Sequence, residues 1–233
     1  MEIISNPLNV TSTPKSNARK PHVVILLDAS GSMNSHRNTV VSTFNEYKTS
    51  ILKTAKTLSL YTFESDNLEE RIFQESPGRV KDLTTDDYRI GGWTPLYDAM
   101  GLVIQKFRFE DRPVQFITHT DGDENASKGY TKHALDELIA QMTKQGWLFT
   151  YLGEGLQAQA QFSTFQGLKV NFEPGQRGVM MRSLSNTTAL YSSSNNAVAS
   201  AYTTSGSDTI NIGESVEDFL SKASDEEDST NTC

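Results

Sequence analysis

Five oxygen-bearing side chains stand at three separated places in the chain. Asp28, Ser30 and Ser32 alternate in Asp-Ala-Ser-Gly-Ser, Thr94 lies in Gly-Gly-Trp-Thr-Pro-Leu, and Asp121 lies in Thr-Asp-Gly. Together they offer three hydroxyls and two carboxylates, with no cysteine or histidine inside the motifs. Hard oxygen donors of this kind select Mg²⁺ or Mn²⁺ over zinc or copper. The alternation suits that task, because a turn after a strand aims Ser30 and Ser32 inward together. Gly31 is expected to relieve backbone strain between them, and Gly91, Gly92 and Gly122 to do so in the other two loops. Asp123 adds a third acid that could assist or replace Asp121. Each motif alone has an ordinary explanation as a turn or a helix start. All three in order, each at the end of an element, favour a metal site.

The elements that must position them follow from hydrophobic period. Val23 to Leu27 is a continuous apolar run, the mark of a strand buried on both faces. Val40, Phe44, Tyr47, Ile51 and Ala55 recur at helical steps, and Thr57 to Phe63 alternates like a strand. Glu64 to Glu70 reads as a charged turn and Arg71 to Gln74 as a short edge strand. A polar stretch from Val80 to Trp93 precedes a helix opened by Pro95 and striped by Leu96, Met100, Val103 and Phe107. Val114 to Thr118 is a strand, Leu135 to Met142 a helix stopped by Gly146, and Trp147 to Leu152 a strand. A short helix over 157–165 and a strand from Lys169 to Phe172 follow, and Val179 to Tyr202 is weakly helical. This order predicts an α/β fold: a Rossmann-like, doubly wound, mostly parallel sheet with helices on both faces. In such a sheet, loops at the carboxyl ends of the strands meet over one crevice.

The segments written DASGSM, GGWTPLYDA and TDGDEN resemble the metal-ion-dependent adhesion site of von Willebrand factor A domains, over roughly residues 22–153. The resemblance implies Ser30, Ser32 and Thr94 as direct ligands and Asp28 and Asp121 as ligands acting mainly through water. A further position would remain for a partner's carboxylate. Tyr151-Leu-Gly-Glu and the stretch after it are similar to an extension in bacterial and phage members. Trp93 departs from the family pattern, in which small or polar residues are common before the threonine. It could shape the rim or narrow access. The domain core is placed at residues 21–175, between a flexible arm (1–20) and a C-terminal extension (176–204) packed on the core. A flexible acidic tail (205–233) completes the chain.

Composition narrows the function. The net charge is −8 and the sequence pI about 5.0, so the surface repels phosphate backbones and nucleic acid is a poor partner. Cys233 is the only cysteine, which excludes an intramolecular disulfide and a cysteine-based metal cluster. No apolar run approaches the roughly 20 residues that span a bilayer, and residues 1–20 lack the apolar core of a signal peptide. A cytoplasmic location is expected. His22, His36, His119 and His133 show no metal-ligand spacing. The expected function is a non-enzymatic binding module that grips an acidic residue of a protein partner through Mg²⁺ or Mn²⁺. The resemblance suggests an intracellular bacterial or phage complex, for instance beside a MoxR-type ATPase. One rival is a Mg²⁺-dependent phosphoesterase using Asp28, but haloacid-dehalogenase-like enzymes need a second aspartate where this chain has Ser30. A structural subunit of a virion or other assembly is a further alternative.

Overall fold

Every residue of His22–Asp28 is buried, as a strand covered on both faces must be. It forms β1 of the computed structural model, which describes residues 19–122, 124–154, 160–172, 176–193 and 209–210. A 3₁₀ turn over Gly31–His36 leads into α1 (Arg37–Ser50). β2 (Thr57–Glu64) and β3 (Asn67–Glu75) make an antiparallel hairpin. After them come α2 (Leu96–Phe107), β4 (Val114–Thr120) and α3 (Lys132–Lys144). The remaining elements are β5 (Leu148–Glu154), β6 (Leu168–Phe172), α4 (Arg177–Ser193) and β7 (Thr209–Ile210). One sheet joins the strands in the order β3-β2-β1-β4-β5-β6-β7, parallel throughout except for β3.

Two cores sandwich the sheet, which is the doubly wound α/β arrangement expected. Val23, Ile25 and Leu27 face α1 and α4, against Phe44, Tyr47, Met180 and Leu184. Val24 and Leu26 face α2 and α3, against Met100, Ile104, Leu135 and Ile139. From β1 the chain runs outward through β2 and β3, then returns to β4 on the other side of β1. The loops leaving the carboxyl ends of β1 and β4 therefore diverge, and a crevice opens between them. The register pairs Leu27 with His119, so Asp28 and Thr120 come next to each other at that crevice.

Several elements differ from expectation for physical reasons. The charged turn shrinks to Ser65 and Asp66, and Leu68, Glu69 and Glu70 belong to β3. An edge strand keeps water on one side, so it tolerates charges that hide its alternation. Glu70 accepts a hydrogen bond from the Tyr61 hydroxyl at 2.6 Å. The weakly helical segment is a continuous helix through Ser193, while residues 194–202 lie outside the described residues. Its polar composition is compatible with burial because Thr187 and Thr188 donate to the carbonyls of Ser183 and Leu184, four residues back, at 2.9 and 3.0 Å. The Thr188 hydroxyl also lies 2.7 Å from that of Tyr47, tying α4 to α1. Gly146 does stop α3: its φ of 89° lets Gly146 N–H and Trp147 N–H bond back to Thr143 and Met142 carbonyls. Of the expected short helix, only 160–165 is described, and it buries Phe162 and Phe165 around Tyr151. Within the expected tail, Thr209–Ile210 pairs with Lys169 and Val170 as the seventh strand, two β-branched residues suited to a sheet edge. Residues 1–18 and 211–233 lie outside the described residues.

Leu184 is 1% exposed between α4 and the sheet. Leu184→Ala should lower unfolding free energy by about 2–4 kcal/mol in urea titration. A change under about 0.5 kcal/mol, the scale of surface substitutions, would show that α4 adds nothing to the core.

Candidate metal centre

Asp28 ends β1 with its side chain fully buried. Its Oδ1 accepts the Ser30 backbone N–H at 2.7 Å, and its Oδ2 accepts the Thr120 hydroxyl at 2.5 Å. The Tyr88 hydroxyl donates to the Asp28 carbonyl from the opposite loop. No cationic side chain among the described residues offsets the carboxylate's charge. Burial therefore pushes its pKa up to about 6, against the lowering pull of the Thr120 and Ser30 hydrogen bonds, and the nearby Asp121 charge adds to the rise.

Around it the hydroxyls assemble. Ser30 Oγ lies 3.2 Å from Ser32 Oγ, and the Ser32 hydroxyl donates to Asp121 Oδ1 at 2.8 Å. The other Asp121 oxygen lies 3.6 Å from His36 Nε2. Thr120 Oγ1 accepts Gly122 N–H at 3.1 Å, which folds the loop after β4 back over the strand end. Side-chain hydrogen bonds thus bring Asp28, Ser30, Ser32 and Asp121 together, directly or through Thr120 and the Ser30 backbone.

Thr94 joins through its backbone. Gly91 N–H donates to Ala29 O at 2.9 Å and Gly31 N–H to Gly92 O at 3.2 Å, stitching its loop to the one after β1. Thr94 N–H donates to Asn125 Oδ1 at 2.9 Å, and Asn125 N–H to Thr94 O at 3.1 Å, stitching it to the loop after β4. The Thr94 side chain is 3% exposed, and its hydroxyl makes no hydrogen bond among the described residues. Of the four glycines expected to relieve strain here, only Gly92 has a positive φ, 66°. A Cβ on it would stand 1.9 Å from Ser65 Oγ, so glycine is required there. Gly31, Gly91 and Gly122 meet neither condition.

Other residues complete the frame without having been singled out from sequence. Thr120 stood inside the Thr-Asp-Gly motif, and its place as the last residue of a buried strand was the available signal. Tyr88 and Asn125 carried none. Glu124 accepts N–H groups of Tyr97, Ala126 and Ser127, and Asp98 accepts those of Lys128, Gly129 and Tyr130. The two acids pin the 124–130 loop to the start of α2, where a helix favours negative charge. His36 does approach the centre, although its spacing gave no hint of it. His22 stands at the amino ends of the strands beside Glu110, and His133 is exposed on α3. His119 packs beside Phe172, and burial pushes its pKa down to about 4. Asp123 lies outside the described residues.

The donors are all oxygen, and among the described residues no group of three or more His, Cys, Asp or Glu side chains gathers. A buried carboxylate without a counter-ion, flanked by hydroxyls, fits a hard divalent cation on both donor chemistry and charge.

No protein-family model and no curated protein sequence matches the chain. Solved structures match its fold. The ArnB paralog VWA2 from Sulfolobus acidocaldarius is 17% identical with a TM-score of 0.50, over 72% of this chain and 45% of that one. The SpRpn10 VWA domain is 13% identical at TM-score 0.51, over 71% and 94%. The pilus adhesin SpaC from Lactobacillus rhamnosus GG is 12% identical at TM-score 0.55, over 76% and 30%. The chain thus spans less than half the length of the Sulfolobus protein. These likenesses show a von Willebrand factor A-like α/β fold. Among the described residues, no helix is long and apolar enough to cross a membrane.

The raised Asp28 pKa fixes the sign of a pH effect. Between the usual carboxylate range and about 6 the metal-free folded state binds the extra proton, so stability falls as pH rises through that window. Two pKa units correspond to about 3 kcal/mol, on the order of what Asp28→Asn should recover at neutral pH in EDTA. Urea titrations at several pH values should also show a flatter profile for the variant. A variant less stable than the parent at neutral pH would contradict the uncompensated charge.

Proposed function

We propose that the chain is a divalent-metal-dependent protein-binding module with a metal-ion-dependent adhesion site. Ser30, Ser32 and Thr94 would hold Mg²⁺ or Mn²⁺ through their hydroxyls, and Asp28 and Asp121 would do so through bound water. One observation carries this reading: the buried, unpaired Asp28 carboxylate beside converging hydroxyls from separate loops. Both Asp28 oxygens already accept protein hydrogen bonds, which suits an acid that orients water rather than one that grips the ion itself.

The bound cation would supply an electrophilic seat for a carboxylate. Neutral hydroxyls leave much of its charge unspent, so the best occupant is an Asp or Glu of a partner protein. With a net charge of −8, the chain as a whole otherwise repels an acidic partner, and the metal provides the attraction. An intracellular bacterial or phage assembly, with a MoxR-type ATPase as one candidate partner, agrees with the motif resemblance. Binding rather than phosphoester hydrolysis is favoured because Ser30 stands where a phosphatase of the haloacid-dehalogenase type needs its second aspartate.

Calorimetry should find one Mg²⁺ or Mn²⁺ per chain, weakly held because magnesium sheds its waters reluctantly. Asp28→Ala and Thr94→Ala should each abolish the metal heat while circular dichroism remains that of a folded chain. Metal binding that survives both substitutions would overturn the assignment.

A further inference from the structure

Trp93 is 68% exposed, and its indole makes no ring contact among the described residues. Its backbone is held firmly on three sides. Gly92 is tied to Gly31, Trp93 to Ser65 and Thr94 to Asn125, three consecutive residues anchored to three different loops. Trp93 N–H donates to Ser65 Oγ at 3.1 Å, and Ser65 N–H donates to Trp93 O at 2.9 Å. Ser65 makes this clamp at a φ of 47°, a left-handed conformation that non-glycine residues rarely adopt, and Gly92 sits at 66°. A large apolar surface is thus presented to water by a loop whose backbone is anchored on three sides, one residue before a proposed metal ligand.

A second feature adjoins it. Glu64 Oε2 lies 2.3 Å from where a Cβ on Gly92 would be, so its carboxylate stands against the same loop. Glu64 is half-buried and has no ion pair among the described residues, whereas the neighbouring Asp66 is paired with Lys128. A partner that covered this loop with apolar surface would strip water from Glu64 without giving it a partner. A guanidinium would satisfy both, stacking on the indole and facing the carboxylate.

We infer that Trp93 and Glu64 form a cation-receiving shelf beside the metal centre, which selects partners carrying an arginine next to the metal-binding acid. This rests on the proposed metal-bridged reading but adds a contact that does not use the metal. Exposed cation–π contacts are worth a modest gain, so the selectivity should be roughly two- to fivefold.

The chain has two tryptophans, and Trp147 is buried at 3% exposure, so two indole N–H signals separate the shelf from the core. The probes are acetylated, amidated tripeptides Arg-Glu-Gly, Phe-Glu-Gly and Gly-Glu-Gly, with their reversed sequences, titrated in Mg²⁺ and followed by NMR. The better arginine peptide should bind roughly two- to fivefold tighter than its glycine counterpart and shift the Trp93 signal while sparing Trp147. Trp93→Ala should erase that preference, Glu64→Gln should reduce it, and Trp93→Phe should retain part of it. A phenylalanine peptide binding as tightly as arginine, a preference unchanged in Trp93→Ala, or no shift of Trp93 with any peptide would each overturn the shelf. EDTA separates the two claims. An arginine preference that persists there, with Glu→Gln in the peptide making no difference, keeps the shelf and removes the metal bridge. A calorimetric metal heat without any Trp93 response keeps the metal and removes the shelf.

Discussion

Taking a carboxylate out of water at the centre of a sheet is costly unless something answers its charge, and Asp28 sets that condition for the rest of the site. Its position is fixed by β1, the strand buried on both faces. Its oxygens are fixed by Ser30 N–H and the Thr120 hydroxyl, and its carbonyl by Tyr88. These contacts orient the carboxylate without neutralising it. The loops after β1 and β4 and the loop bearing Thr94 are then bonded to one another mainly through backbone groups. That leaves the hydroxyls of Ser30, Ser32 and Thr94 as the groups with coordinating capacity to spare.

Topology explains why residues so distant in sequence share this point. Chain order reverses between β1 and β4, so their following loops part and leave a crevice at the carboxyl edge. Gly92 lets the third loop press against the β2–β3 turn, and Ser65 accepts a strained conformation to hold it there. The same device that positions Thr94 also fixes the backbone of Trp93. Positioning of the proposed metal ligand and presentation of the aromatic are therefore one structural feature.

Much of this was legible in the residues. The run from Val23 to Leu27 carried the pattern of a two-faced buried strand, and Asp28, Ser30, Ser32 and Asp121 lie at or just after strand ends, so their convergence was implied by the parallel order. Charged residues hid the first half of β3, since an edge strand has water on one side to solvate Glu69 and Glu70. α4 was obscured because its serines and threonines look like loop residues until their hydroxyls bond to the preceding turn. Tyr88 and Asn125 act from irregular segments, where no period marks a residue as important. Glycine was over-read: of four assigned to strain relief in these loops, Gly92 alone serves it.

The account stands on a divalent cation sitting among these loops to answer the Asp28 charge. A crystal grown or soaked with Mn²⁺, with data collected at a wavelength where manganese scatters anomalously, places that ion independently of any binding assay. The account predicts one anomalous peak in contact with the hydroxyls of Ser30, Ser32 and Thr94, with Asp28 and Asp121 reached through ordered water. A well-diffracting Mn²⁺ crystal with no peak at that point, or with its peak held by other side chains, would contradict it.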